Sequence, residues 1–289
     1  MRDRRIVCSS ILSAEAAIHF PVHLHFGSVE ISMHFILEIL AYTTGFLFYL
    51  HLRKTRGDAI PDRTRWAVIT AAVAGAALGA RLLDWFGDPG KVLSHWRDPA
   101  SLMMGRTIVG ALIGGVIAVE LTKRWMGETR YTGDLFAAPI ALGIAIGRVG
   151  CFLEGLPDGT YGLPTWLPWG VNFGDGVYRH PTQLYESLFA LVLFAFLMRM
   201  MRRPYIEGDL FKVFMVSYMG WRLAADFLKP GVRIEGLTAI QWACVGMLVY
   251  YFHDIRRWMT VGLTVPMSAL SGAARAAANG TRGREGTDG

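Results

Sequence analysis

Long apolar runs alternate with shorter polar connections along most of the chain. Seven runs approach the ~20 residues that an α-helix needs to cross about 30 Å of hydrocarbon. Because lipid offers no partner to backbone polar groups, each run is expected to be a helix. The predicted spans are 31–52, 66–86, 103–121, 135–153, 182–201, 210–227 and 237–252. The pattern therefore predicts an all-α, polytopic membrane protein.

Composition agrees with that class. Of the 289 residues, 53% are hydrophobic and only 18% are charged, whereas soluble domains carry about 25% charged residues. The net charge is +6, which basic cytoplasmic loops account for under the positive-inside rule. No basic stripe with interleaved aromatic residues lies outside the spans, so no nucleic-acid partner is expected.

Loop charges predict the orientation. Basic residues are concentrated in the connections after spans one, three and five and after the last span: Arg53, Lys54, Arg56, Arg63, Arg65, Lys123, Arg124, Arg130, Arg199, Arg202, Arg203, Arg256 and Arg257. The N-terminus, although it carries three arginines, is therefore placed outside and the C-terminus in the cytoplasm.

Ionisable residues within the spans fall mainly on one side of that topology. They lie in the outer parts of six spans: His34, Glu38, Arg81, Asp84, Arg106, Arg148, Glu186, Arg222 and Asp226. Glu120 is the exception, near the inner surface. Charges at membrane depth cost roughly 3 kcal/mol on insertion scales and are usually functional. We expect a shared polar cavity that opens to the outer leaflet and accepts a phospholipid headgroup.

The domain prediction has three parts. Residues 1–30 are an extracytoplasmic segment, residues 31–253 are the membrane domain with an outer loop at 154–181, and residues 254–289 are a disordered cytoplasmic tail. Glycines at small-xxx-small spacing in spans two to four predict close helix packing. Cys8, Cys151 and Cys244 are scattered, and no HExxH or Cys/His set is present, so neither a disulfide framework nor a metal or other cofactor is expected.

Two segments carry a family resemblance. Residues 147–155 read Gly-Arg-Val-Gly-Cys-Phe-Leu-Glu-Gly, and residues 180–186 read His-Pro-Thr-Gln-Leu-Tyr-Glu. They resemble the Gly-Arg-x-Gly-Asn-Phe-x-Asn-Gly and His-Pro-(Ser/Thr)-Gln-Leu-Tyr-Glu segments of the prolipoprotein diacylglyceryl transferase family. The segment from Arg222 to Lys229 is similar to that family's last motif, and the resemblance covers about residues 31–252.

Some positions depart from the family pattern. Cys151 and Glu154 stand where the signature has asparagine, and a few residues are inserted between Leu156 and Tyr161, before the closing Gly162. Val109 takes the position of a proposed catalytic histidine in span three. The chain is therefore identified as a divergent branch of the family.

The resemblance implies a reaction and a cellular location. Family members transfer a diacylglyceryl group from phosphatidylglycerol to the lipobox cysteine of prolipoproteins, and release glycerol phosphate. The expected partners are phosphatidylglycerol, lipobox-containing prolipoproteins and membrane lipids, in the bacterial inner membrane. Two other functions are considered: a non-catalytic lipid-binding or assembly protein of the same fold, and a transferase with a different acceptor.

Candidate site residues follow from this chemistry. Arginine pairs bidentately with phosphate and keeps its proton, so Arg148 and Arg222 are the expected phosphate clamp. His180, then His34, are candidates for the base that takes the thiol proton, and Glu186 could orient an arginine or His180. The remaining predicted substrate-binding residues are Arg81, Arg106, Cys151, Gly162, Tyr185 and Asp226.

Structural roles are the alternatives at each position. Arg148 could pair with Glu186 or Asp226, and Arg222 with Asp226 one turn away. His180 could simply precede a helix that begins near Pro181. Glu186 could be a carboxylate favoured in a first helical turn. His34 and Glu38 could form a structural pair, Arg81 and Arg106 could anchor at the interface, and Cys151 could be a small packing residue.

Overall fold

The computed structural model describes residues 19–27, 29–58, 60–94 and 107–263. Arg106 and Cys8 lie outside these ranges, as do residues 264–289 of the predicted tail.

The described residues are mainly helical. The α-helices are α1 Met33–Arg56, α2 Asp62–Gly87, α3 Pro89–Ser94, α4 Ile108–Met126, α5 Asp134–Glu154, α6 Thr182–Met200, α7 Asp209–Ala225, α8 Ala239–Tyr250 and α9 Phe252–Val261. Short 3-10 turns cover Leu156–Asp158 and Asp226–Leu228. Two antiparallel hairpins pair β1 His23–Phe26 with β2 Val29–Ser32, and β3 Val171–Asn172 with β4 Tyr178–Arg179.

In the described part of the chain, each predicted span overlaps one of the helices α1, α2 and α4 to α8, but the bounds and lengths differ. Among the described helices, α1, α2, α5 and α6 are long and apolar enough to cross a membrane. Helix α8 has only 12 residues, because Thr238 caps its start and the chain turns at Tyr251. The protein is thus a helical, polytopic membrane protein, while the number of seven spans stays a prediction.

The ends of the chain differ in part from the predicted domains. Strands β1 and β2, within or next to the predicted extracytoplasmic segment, form the first hairpin, and β2 leads directly into α1. The predicted disordered tail starts at residue 254, yet α9 continues to Val261. The amphipathic sequence of α9 allows it to pack Trp258 against the core.

The most closely packed helix pairs, α1 with α5, α2 with α4 and α5 with α6, run antiparallel. Gly75 and Gly79 of α2 face Gly114 and Gly110 of α4 so closely that backbone contacts backbone. Ser187 Oγ of α6 donates to Ala145 O of α5 over 2.8 Å. Helices α1, α4, α6 and α8 therefore begin, and α2, α5 and α7 end, at one end of the bundle, which we call the site end.

Buried charges also occur at the opposite end. Arg65 binds Asp58 at 2.6 Å and donates to Thr132 O at 2.7 Å, and Asp209 accepts hydrogen bonds from Arg257 and Trp258. Arg65, Lys123 and Asp209 are all buried. These charges lie just outside the predicted spans, where the loops fold back into ion pairs, so the prediction for residues within the spans, with Glu120 as its exception, is unchanged.

Two adjacent glycines of α4 test the close packing against α2. A Cβ at Gly114 would collide with Gly75 O and lie 2.9 Å from Gly79 Cα, whereas a Cβ at Gly115 would lie 3.5 Å from Ala72 O. We expect Gly114→Ala to lower the free energy of unfolding by about 1–3 kcal/mol, because a packed backbone must move apart. The matched Gly115→Ala change should be nearly neutral. Thermal unfolding in detergent measures both, and equal midpoints would contradict the packing.

Candidate active site

Glu186, one turn into α6, is the centre of a buried polar cluster. Its side chain is 1% exposed. Helix α6 is held in place on both sides of this residue: Thr182 Oγ1 donates to Thr160 O at 2.8 Å, and Ser187 binds α5. The carboxylate is therefore fixed between α5, α7 and the loop that precedes α6.

Three cations from separate segments meet this carboxylate. Arg148 Nε of α5 lies 3.1 Å from Glu186 Oε1, and Arg222 Nη1 of α7 lies 2.9 Å from Oε2. Lys229 Nζ, just after α7, lies 3.5 Å from Oε2. All three cations are buried. The two arginines thus converge on one position, as the sequence predicts, and the pairing of Arg148 with Glu186 is also present.

Asp226 is the second carboxylate of the cluster. Its Oδ1 accepts from Arg222 Nη2 at 2.9 Å, and its Oδ2 accepts from Thr238 Oγ1 at 2.6 Å. Thr238 also begins α8 through a reciprocal capping box with Gln241. The start of α8 therefore fixes Asp226, which in turn fixes Arg222.

The cluster holds more positive than negative groups. Three cations face two carboxylates, and Tyr218 donates to Glu186 Oε1 at 2.5 Å. Burial, together with the positive charge of Arg222, lowers the pKa of Lys229, in the loop after α7, to about 7. A bound anion would favour the charged ammonium, so the cluster is suited to an anionic ligand.

The terminal nitrogens of Arg148 make weaker contacts within the protein than those of Arg222. Both terminal nitrogens of Arg222 bind carboxylates at 2.9 Å. Arg148 Nη1 has only long contacts, 3.4 Å to Thr160 Oγ1 and 3.8 Å to Cys151 Sγ. Arg148 therefore retains hydrogen-bonding capacity for a ligand.

His34, Cys151 and Asp158 lie beside Arg148. One donor atom from each lies within 4.8 Å of the other two. His34 follows the cap residue Ser32 at the start of α1, and Ser32 Oγ donates to Glu154 Oε2 at 2.8 Å. Gly150 lets α1 approach α5, because a Cβ there would lie 3.3 Å from His34 O.

His180 and Tyr185 form a separate group. His180 Nδ1 lies 3.4 Å from Tyr185 Oη, which accepts from Trp169 Nε1 at 2.7 Å. In the described part of the chain, no hydrogen bond or ion pair joins His180 to Glu186. Gly162 is required at this point, since a Cβ would lie 2.6 Å from His180 Cβ.

Arg81, Arg106 and Val109 are the remaining positions that the sequence singled out. Arg81 is half-buried on the last part of α2, and Arg106 is outside the described residues. Val109, in place of the family histidine, is 1% exposed and belongs to the apolar core.

Sequence reasoning missed several members of the cluster. Tyr218, Lys229, Asp158 and Thr160 were not among the candidates, although all contact the arginines, Glu186 or each other. The sequence could have identified Lys229, because this residue ends the motif that begins at Arg222. Tyr218 lies one turn before Arg222, so helical spacing alone could have placed it beside the cluster.

Comparison with known proteins agrees with the motifs. Residues 21–253 match the family model described as prolipoprotein diacylglyceryl transferase. A phosphatidylglycerol–prolipoprotein diacylglyceryl transferase of Bordetella avium is 31% identical over 79% of this chain and 90% of its own length. Proteins of the same name from a Polaromonas species and Clostridium tetani are 30% and 34% identical, over 79% and 64% of this chain and 90% and 79% of their own. The chain belongs to the prolipoprotein diacylglyceryl transferase family.

Proposed function

We propose that this protein transfers a diacylglyceryl group from phosphatidylglycerol to the lipobox cysteine of prolipoproteins. The observation that carries the proposal is the convergence of Arg148 and Arg222 on one buried carboxylate, with Lys229 beside them. The names of the similar proteins state the same donor and acceptor class. The cluster is suited to hold the phosphate of the donor lipid.

The reaction breaks one bond and forms another. The bond between the glycerol carbon and the phosphate oxygen breaks, and its electron pair stays on the phosphate oxygen. The acceptor sulfur forms a thioether with that carbon, and the thiol proton balances the charge of the released glycerol phosphate. Fixed positive groups in a site with little water lower the energy of the departing phosphate.

The residues have different roles in this proposal. Arg148 contacts the phosphate, because its terminal nitrogen has only weak internal contacts. Arg222 adds positive charge while two carboxylates hold it. Glu186 and Asp226 are positioning residues for the arginines.

The acceptor thiol must become a thiolate to attack. With Val109 in the core, the proton leaves by another route. His34 lies beside Cys151 and Asp158, and Cys151 in turn contacts Arg148. His180 is instead paired with Tyr185, which also binds Trp169. We therefore assign Gly162, His180 and Tyr185 to a substrate-facing surface made by the outer loop and the start of α6, and Arg81 and Arg106 to lipid headgroups.

The membrane arrangement follows the loop charges. The site end faces the outer leaflet of a bacterial inner membrane, with the N-terminus outside and the C-terminus in the cytoplasm. Residues 31–253 form the transferase domain, and 154–181 its outer loop. Val109 also favours one other function, a lipid-binding protein that retains the arginines without catalysis.

Arg148→Ala tests the phosphate contact. We expect thioether formation from labelled phosphatidylglycerol and a lipobox peptide to fall about 10²–10³-fold, as when one charge-stabilising donor is removed. Arg233→Ala is the matched control, because Arg233 is exposed over Phe227 near the same end, and its rate should not change. Full activity in Arg148→Ala contradicts the role. Absence of product from the unaltered protein with any lipobox peptide favours the non-catalytic function.

Glu186→Gln tests the positioning role. It leaves buried cations without their shared carboxylate, so we expect a loss of about 3–5 kcal/mol in the free energy of unfolding. Glu154→Gln is the control, since Glu154 accepts one hydrogen bond, from Ser32, and should cost about 0.5–1.5 kcal/mol. Thermal unfolding in detergent compares the two, and similar small losses would show that Glu186 does not hold the cluster together.

A further inference from the structure

Three side chains of different donor type meet where α1 begins and α5 ends. His34 comes from the first turn of α1, Cys151 from the last turn of α5, and Asp158 from the 3-10 turn that follows. One donor atom of each lies within 4.8 Å of the others, and all three residues are half-buried. Segments far apart in sequence thus bring a nitrogen, a sulfur and an oxygen ligand together.

The hydrogen bonds around these residues leave suitable atoms available. His34 Nδ1 is buried without a hydrogen-bond partner, while Nε2 lies 3.9 Å from Glu38 Oε2. Asp158 Oδ2 accepts a hydrogen bond from Thr160. Metal-binding histidines commonly direct their second nitrogen to a carboxylate, and metal-binding carboxylates are themselves hydrogen-bonded. At this site the Asp158 carboxylate is hydrogen-bonded, and Glu38 is near enough for a small movement to bring it into hydrogen-bond distance of His34 Nε2.

We propose that His34, Cys151 and Asp158 bind a zinc ion. Zinc accepts nitrogen, sulfur and oxygen ligands at about 2.0–2.3 Å, and three protein ligands with one open position are typical of catalytic zinc. Ligand atoms in such a sphere lie about 3.3–3.8 Å apart, so movements of about 1 Å complete the site. A thiolate and a carboxylate together balance the charge of the dication.

The positions that differ from the family pattern coincide with this site. Cys151 replaces the signature asparagine, and Asp158 lies within the inserted residues before Gly162. The same chain has Val109 in place of the span-three histidine. The departures at Cys151 and Asp158 supply metal ligands, and the departure at Val109 removes a proton acceptor.

The open position would take the acceptor thiol, a role that depends on the proposed function. A thiol that coordinates zinc is deprotonated, so its S–H proton passes to water and the bound sulfur carries the negative charge. That sulfur then bonds to the glycerol carbon as the carbon–oxygen bond to phosphate breaks. Arg148 Nη1 lies 3.8 Å from Cys151 Sγ. The phosphate that Arg148 binds is therefore next to the zinc-bound sulfur of the acceptor.

Cobalt substitution tests metal binding without an activity measurement. The full-length protein, purified in detergent and treated with a chelator, is titrated with Co²⁺. We expect one equivalent to produce a thiolate-to-cobalt charge-transfer band that Zn²⁺ abolishes, because zinc binds more tightly than cobalt. Cys151→Ser should eliminate the band, and Asp158→Asn should weaken it. A double Cys8→Ser, Cys244→Ser variant should keep it.

Two measurements separate local binding from misfolding. Glu38→Gln leaves the three ligands in place and should weaken Co²⁺ binding about 10–100-fold, as loss of an outer partner does. Metal-free unfolding midpoints of Cys151→Ser and Asp158→Asn should stay near that of the unaltered protein. Absence of the band, or a band of equal strength in Cys151→Ser, would overturn the zinc site.

Addition of a lipobox peptide tests the open position. Its cysteine should strengthen the charge-transfer band of the cobalt protein, while a peptide with serine in that position should not. No change with the cysteine peptide would overturn the thiol role. Thioether formation by a protein that gives no cobalt band would reject the zinc site and leave the proposed transferase function intact. A normal cobalt band without thioether formation would reject the transferase function alone.

Discussion

The shared carboxylate of Glu186 is the constraint on which the site depends. It is 1% exposed and is contacted by cations from α5, from α7 and from the loop after α7. Buried charges are strongly destabilising unless they are paired and hydrogen-bonded. Any displacement of one helix end would leave a cation unpaired, so this interaction holds the site end of the bundle in one arrangement.

Helix packing elsewhere makes that convergence possible. The close α2–α4 contact at Gly75, Gly79, Gly110 and Gly114 uses backbone atoms and leaves few ways to shift the register. The bond from Ser187 to Ala145 O fixes α6 against α5 within one residue of Glu186. An apolar core of the same shape would be more stable than buried ions. The excess of positive groups therefore supports the proposed anionic ligand.

Much of the fold could be predicted from the sequence, because hydrophobic run length determines where membrane helices form. The predicted runs overlap α1, α2 and α4 to α8. Their ends were less predictable, since local caps decide them, such as Thr238 with Gln241 at α8. The motifs identified Arg148, Glu186, Arg222 and Asp226. Asp158 was missed because its contacts depend on how separate segments meet, whereas the helical spacing of Tyr218 from Arg222 was a signal that could have been used.

The zinc site and the arginine cluster are physically connected through Arg148, which touches Glu186 on one side and Cys151 and Thr160 on the other. Nucleophile and leaving group must lie close together for the transfer, since positioning alone lowers such barriers considerably. A histidine base needs only to reach the thiol proton, whereas a metal also fixes the sulfur in space. Replacing the first by the second would therefore change how the thiol is activated without moving the phosphate site.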